Sequence, residues 1–286
     1  MKRGMFTVSF TVAASLLWCG SSVAAQCEPD GAVQFVCGPV SPEDLIPIPQ
    51  SPWVIVSSME DDGYLSATDS RDYSSTVLFP KETSNPRHDS VTYGSCPGMV
   101  TDQFRPHGIN LRQGDDAIHT LYVVRHGARE SIEVFEVDAG GSPPELAWVG
   151  CAVAPEALRF NSVVALPEGG LAATSPQTDD VWEWHVETGW RQVPGSGGTA
   201  PNGLEVSPDG RWFFVAGWRE EKLTRLSRGR TPVEKAVVDI GFRPDNLRLA
   251  VDGTRIFAAG HGNYRTPQET SNVAVIDPQT LAVERI

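Results

Sequence analysis

The chain has 286 residues, room for one large domain or two small ones around a sizeable core. Hydrophobic residues make up 40% and charged residues 21%, which excludes a disordered or low-complexity chain. The formal charge is -13 and no basic cluster is longer than Arg228-Gly229-Arg230, so no nucleic-acid partner is expected.

Residues 1–25 read as an export signal. Lys2 and Arg3 form the positive end, Met5 to Trp18 the apolar stretch, and small residues allow cleavage after Ala24 or Ala25. The apolar stretch is short for a membrane span and nothing else approaches the required length, so the expectation is a secreted or periplasmic chain with no transmembrane span. Residues 26–40 then form an N-terminal segment, and 41–286 the folded domain. With Cys19 removed alongside the signal, Cys27, Cys37, Cys96 and Cys151 remain. An even count in an oxidising compartment predicts two disulfides, and Cys27–Cys37 with Cys96–Cys151 is the preferred pairing of three. No Cys-x-x-Cys occurs, which argues against zinc or redox chemistry.

From residue 43 onward a unit recurs. A degenerate copy, Glu43-Asp-Leu-Ile, runs into Trp53-Val-Ile-Val, and a looser one, His107-Gly-Ile-Asn-Leu, into Leu121-Tyr-Val-Val. Three clear copies follow: Asn161-Ser-Val-Val-Ala-Leu-Pro-Glu-Gly, Asn202-Gly-Leu-Glu-Val-Ser-Pro-Asp-Gly and Asp245-Asn-Leu-Arg-Leu-Ala-Val-Asp-Gly, each followed by a second apolar run. Each unit is a polar residue, a strand, a tight glycine turn and a second strand. Further strands are expected at Ser131–Val137, Val181–His185, Leu223–Leu226 and Val273–Asp277. Four strands in about 43 residues make one blade of a β-propeller, an all-β architecture. Residues 26–286 would hold about six such units, whereas five starts are visible. A six-bladed propeller whose last blade is incomplete is the favoured expectation, with a five-bladed ring as the alternative.

Equivalent points of different blades lie at equivalent points around the axis. The unit starts Glu43, His107, Asn161, Asn202 and Asp245, with Asn246 alongside, therefore share one end of the central channel. Carboxylate and amide oxygens without thiolates suit a hard cation, and rigid strand ends with loose geometry suit Ca²⁺ better than Mg²⁺. The same residues would serve as strand caps if no ion bound.

These units resemble the paraoxonase/arylesterase and SMP-30/gluconolactonase group of six-bladed propellers. The matching stretches are Glu43-Asp-Leu, Phe104-Arg-Pro-His-Gly-Ile, Leu121-Tyr-Val-Val-Arg-His through Val134-Phe135, Phe160-Asn161, Pro201 to Gly210, and Asp245-Asn246. Pro-His-Gly-Ile, with a second histidine 19 residues after the first, favours the paraoxonase branch. The resemblance implies a catalytic Ca²⁺ held by Glu43, Asn161, Asn202, Asp245 and Asn246. It also implies a second, structural Ca²⁺ using Asp44 and the carbonyl of Ile109; Ser162 stands where that site would have an aspartate.

The chemistry so implied is hydrolysis of a small-molecule lactone or carboxylic (aryl) ester. Ca²⁺ lowers the pKa of bound water little, so a separate base is required. His107 is the candidate, with His126 orienting it or relaying its proton. His261 is a candidate for the substrate pocket. Two other readings remain: a secreted, non-catalytic propeller stabilised by calcium, and a strictosidine-synthase-like condensing enzyme that needs no calcium ring. No Gly-x-Ser-x-Gly elbow and no phosphate loop occur.

Overall fold

A computed structural model describes Pro29, residues 31–81, 86–262 and 271–286. The export signal and Cys27, and with it the Cys27–Cys37 pairing, lie outside the described residues. Every strand among the described residues lies in one compact unit, Val36–Ile286. No helix among the described residues is long and apolar enough to cross a membrane.

Among the described residues twenty strands form five four-stranded antiparallel sheets. Blade 1 is β1 (Pro42–Pro47), β2 (Trp53–Ser58), β3 (Tyr64–Asp69) and β4 (Ser75–Phe79). Blade 2 is β5 (Phe104–Arg112), β6 (Ile118–Gly127), β7 (Ser131–Asp138) and β8 (Glu145–Val153). Blade 3 is β9 (Val163–Ala165), β10 (Leu171–Ser175), β11 (Asp180–His185) and β12 (Gly189–Gln192). Blade 4 is β13 (Pro201–Val206), β14 (Trp212–Gly217), β15 (Lys222–Ser227) and β16 (Lys235–Asp239). Blade 5 is β17 (Arg243–Leu249), β18 (Ile256–His261), β19 (Asn272–Ile276) and β20 (Val283–Arg285). Five blades are formed among the described residues, one for each unit start visible in the sequence and matching the five-bladed alternative. The sequence units begin at the innermost strands.

Alternating apolar residues fill the spaces between successive blades. Ile55, Phe79, Phe104, Phe135 and Val163 belong to the core of blades 1 to 3. Val164, Leu204, Phe213 and Leu226 pack blade 3 on blade 4, and Phe214, Leu247, Ile256 and Ile276 pack blade 4 on blade 5. The remaining face of blade 5 differs: β18 buries Ile256 and Ala258 but exposes Phe257 and Ala259. The central strand β14 of blade 4, by contrast, is buried from Phe213 to Gly217. Cys96 and Cys151 are disulfide-bonded with Cα atoms 5.3 Å apart, tying the loop before β5 to β8. Such a bond fits an oxidising compartment.

The inner strands are joined by a regular device. An inward side chain of each blade accepts a main-chain N–H from the next. Asp44 Oδ2 accepts Ile109 N (2.8 Å), Asn110 Oδ1 accepts Ala165 N (3.0 Å), Ser162 Oγ accepts Leu204 N (3.3 Å) and Glu205 Oε1 accepts Leu249 N (3.1 Å). These N–H groups face neighbouring blades, and leaving one buried without an acceptor would cost about 1–3 kcal/mol. From blade 5 to blade 1 the direction reverses. Asn246 Nδ2 donates to Glu43 O (3.1 Å) and Arg248 Nε to Leu45 O (3.1 Å). One Nη of Arg248 also reaches Asp44 Oδ1 (2.6 Å) and Ile109 O (2.9 Å), so a single guanidinium engages blades 5, 1 and 2.

Burial raises the Glu205 carboxyl to about 7, with Arg248 and the N–H groups of Leu249 and Val206 opposing and Asp44 adding to it. A raised carboxyl stabilises the fold most below its unfolded value near 4.5, and that contribution is lost as pH rises through about 7. Glu205→Gln keeps the oxygen that accepts Leu249 N and removes the charge. Its unfolding free energy in urea should match the parent near pH 4 and exceed it near pH 8, by up to about 3 kcal/mol. A second expectation concerns the clamp. Arg248→Met leaves the Asp44 carboxylate, 3% exposed, without its cation; unfolding stability should fall by about 2 kcal/mol, less than for a fully buried pair because the arginine side chain is 21% exposed.

Candidate functional site

Four of the five inner strands are irregular where the sequence places a candidate site residue. Pairing shifts register between Pro42 and Asp44, Pro106 and Ile109, Pro201 and Leu204, and Pro244 and Leu247. Glu43, His107, Asn202 and the Asp245-Asn246 pair occupy these bulges, and Asn161 stands just before β9. A bulge frees a residue from the ladder and re-aims its side chain. Proline opens all four bulged segments, where its missing N–H removes no ladder bond. Close approach of the next blade explains the glycines that follow His107 and Asn202. A Cβ on Gly108 would lie 2.5 Å from Asn161 O, and one on Gly203 2.2 Å from Asp245 O.

The polar side chains so aimed meet. Asn246 Nδ2 lies 3.3 Å from Glu43 Oε1, which is 3.4 Å from His107 Nε2. Asn161 Nδ2 lies 3.4 Å from the same His107 nitrogen. Asn202 hydrogen-bonds the Asp245 carboxylate, whose Oδ2 is 3.9 Å from His261 Nε2. All five blades therefore contribute to one cluster, and the sequence-predicted residues Glu43, His107, Asn161, Asn202, Asp245, Asn246 and His261 stand together.

Three of its oxygens are left over. Glu43 Oε2, Asn161 Oδ1 and Asn202 Oδ1 are buried with no hydrogen-bond partner among the described residues. Buried polar atoms are normally satisfied, and three orphans in one cluster, all acceptors, require a donor or a cation. Electrostatics point the same way. Burial raises the Asp245 carboxyl, and the charge of Glu43 raises it further. Burial disfavours a charged His107, yet the hydrogen bond and charge of Glu43, with Asp245 and Asp44, outweigh it and raise the imidazole above its usual value. Two carboxylates, Glu43 and Asp245, thus act on one another and on His107 within the cluster. Among the described residues no three His, Cys, Asp or Glu side chains gather as a metal would require, so any ion here draws on amide oxygens, which hard cations accept.

The two atoms assigned to a second ion are otherwise engaged. Asp44 Oδ1 and Ile109 O both accept from one Nη of Arg248, and Ser162 Oγ accepts Leu204 N. The guanidinium supplies the positive charge a second cation would bring.

The histidine pair is formed. His107 Nδ1 and His126 Nε2 are 2.9 Å apart, with ring centroids at 5.1 Å. His126 ends β6 and His107 sits in the bulge of its hairpin partner β5. Sequence reading missed the next group: Glu130 Oε2 lies 2.8 Å from His126 Nδ1. The signal was the short connection from β6 to β7, which puts residues 126 and 130 side by side. Also missed were Arg248 and Trp218, whose Nε1 donates to His261 Nε2 at 3.2 Å. A cleft of about 500 Å³ opens beside the cluster, bordered by Asn161, Asn202, Gln177, Trp218 and Arg219. Of the remaining histidines, His119 is buried in β6, and His185 pairs with Glu183 in β11.

No family model matches the chain. It is 31% identical over 106 residues to a periodic tryptophan protein 2 homologue of Neurospora crassa, an alignment covering 34% of this chain and 12% of that protein. The chain thus spans about an eighth of the curated relative's length. Among solved structures it resembles the PQQ-bound aldose sugar dehydrogenase of Streptomyces coelicolor, with TM-score 0.55, 12% identity, and 87% of this chain and 82% of that one covered. A luciferin-regenerating enzyme matches with TM-score 0.54, 10% identity, and coverage of 87% and 78%. At these identities the likeness concerns the fold alone, and it places the chain among the β-propellers.

Proposed function

We propose that this chain is a calcium-dependent hydrolase of lactones or carboxylic (aryl) esters. The reading rests above all on the three orphaned buried oxygens of Glu43, Asn161 and Asn202, gathered from three blades beside a paired histidine. Glu43, Asn161, Asn202, Asp245 and Asn246 would hold the ion. The resemblance of the motifs to paraoxonases and gluconolactonases supports it, and the Cys96–Cys151 disulfide supports an exported chain.

Bound Ca²⁺ supplies Lewis-acid polarisation of the substrate carbonyl and a positive charge for its developing oxyanion. The protein supplies the rest. The cleft beside Asn161 and Asn202 seats the substrate with its carbonyl toward the cluster. His107 Nε2, facing the cluster, takes a proton from water as the water oxygen bonds to the carbonyl carbon. The carbon–oxygen bond of the ester or lactone then breaks, and the leaving oxygen takes the proton back from His107. Water is consumed and a carboxylic acid and a hydroxyl are formed. The His107 Nδ1–H can be shared with His126 throughout, so the transient imidazolium is not left alone in a buried site.

Metal analysis and turnover test this together. Chelation with EDTA should abolish hydrolysis of lactones and aryl esters, and Ca²⁺ should restore it. Ca²⁺ at a hundred times its Kd should add about 2.7 kcal/mol to stability, read as a higher melting temperature. Turnover indifferent to EDTA would overturn the reading, and calcium stabilisation without turnover would favour a non-catalytic propeller. His107→Gln should lower kcat by about a hundredfold or more. In the parent, turnover should fall as the pH drops and His107 becomes protonated; the variant should lose that limb.

A further inference from the structure

His126 Nδ1 and Glu130 Oε2 are 2.8 Å apart, and the Glu130 side chain is only 12% exposed. Its other oxygen is also used: Phe160 N donates to Glu130 Oε1 at 2.8 Å. Phe160 directly precedes Asn161, one of the orphaned oxygens of the cluster. The segment carrying Glu130 is held firmly. Arg129 Nε and Nη2 donate to Glu133 at 2.8 and 2.9 Å, and Trp148 Nε1 donates to the same carboxylate at 2.7 Å. Ala154 N donates to the Glu130 carbonyl at 3.0 Å.

A histidine pair can carry its protons in either of two orders. A proton on both Nδ1 atoms leaves His107 Nε2 bare toward the cluster. A proton on both Nε2 atoms blocks that nitrogen. The His107–His126 contact alone suits both orders, because either ring can donate. A carboxylate only accepts, so at His126 Nδ1 it requires a donor there. His126 Nε2 is then the acceptor of His107 Nδ1–H, and His107 Nε2, 3.4 Å from Glu43 Oε1, is left as the base when Glu43 is turned to the cation it would hold. The Asn161 amide, 3.4 Å away, can face a bare nitrogen with its N–H.

We infer that Glu130 is a positioning residue that fixes the proton order of His126 and His107 and, through Phe160, the place of Asn161. This rests on the hydrolytic reading of the histidine pair. A neutral amide at position 130 can keep its oxygen on Phe160 N, but it turns its NH₂ toward His126 Nδ1. That nitrogen must then accept, the whole order reverses, and His107 Nε2 carries a proton where it should take one. The loss falls on the transition state, where the base acts, and not on ground-state binding.

The test combines kinetics with imidazole ¹⁵N spectra of the calcium-loaded protein. In the parent, His126 should show its proton on Nδ1 and a bare Nε2. Glu130→Gln should move that proton to Nε2 and lower kcat on lactones by about a hundredfold with KM nearly unchanged. Glu130→Asp, which keeps an acceptor-only group, should retain the parent tautomer and recover most of kcat. A parent His126 already protonated on Nε2, or a Gln variant with parental tautomer and kcat, would overturn the proposal. If the parent hydrolyses neither lactone nor ester, the hydrolytic reading fails by itself, while the spectra of parent and variants still decide whether Glu130 sets the proton order.

Discussion

Main-chain N–H groups that face the channel govern this propeller. The inner strand of each blade has no strand beyond it with which to complete a ladder, so its inward N–H groups must find side chains. Asp44, Asn110, Ser162 and Glu205 meet that need in turn around the axis. They alternate in depth. Asp44 and Ser162 directly follow the ligand positions Glu43 and Asn161, whereas Asn110 and Glu205 lie three residues beyond His107 and Asn202. Two storeys of short polar links therefore join neighbouring blades, and each requires the strand it reaches to hold its height along the channel.

The cluster at the channel mouth follows from this arrangement. Residues directly preceding or within a short step of the links cannot drift, so Glu43, Asn161 and Asn202 present their oxygens at fixed positions. Bulges free Glu43 and Asn202 from the ladder, and the links engage main-chain N–H groups of the same inner strands. Ile109 N and Leu204 N are taken up by Asp44 and Ser162, and Glu43 Oε2, Asn161 Oδ1 and Asn202 Oδ1 have no hydrogen-bond partner among the described residues. The same economy that stabilises the strands leaves the cluster short of positive charge, which is the condition for binding a cation in a low-dielectric setting.

The architecture was legible in the sequence because the repeat is dense with turn chemistry: Pro-Glu-Gly-Gly, Pro-Asp-Gly and Val-Asp-Gly each close a hairpin between inner and second strands. The clustering of Glu43, Asn161, Asn202 and Asp245 was legible for the same reason, since equal phase in a repeat means equal place around the axis. The five described blades were legible as five unit starts, whereas chain length suggested six because it counts the segments before β1 and the long connection before β5 as though they were blade. Glu130 was hidden because its role depends on a turn that brings it back to His126, and no periodic position marks it. Arg248 was hidden because it breaks the pattern: three residues beyond the ligands stand Ile46, Asn110, Val164 and Glu205 in the other blades, none of them cationic. The disulfide between Cys96 and Cys151 was legible as a pairing, but not as a tie between an inter-blade loop and β8.

Arg248 also decides how charge is apportioned along the axis. Asp44 and Glu205 are buried carboxylates in the links, and burial raises both. A mobile cation could compensate them, but it would make the junction between blades 5 and 1 depend on supply from solution. A guanidinium does so permanently. Its planar fork reaches a carboxylate and two main-chain carbonyls at once, geometry that an ammonium could not satisfy. With the link carboxylates Asp44 and Glu205 compensated by Arg248, the unmet demand for charge is confined to the mouth, where Glu43 and Asp245 stand beside His107 and the cleft. An exchangeable ion is then needed only where a substrate carbonyl could use it.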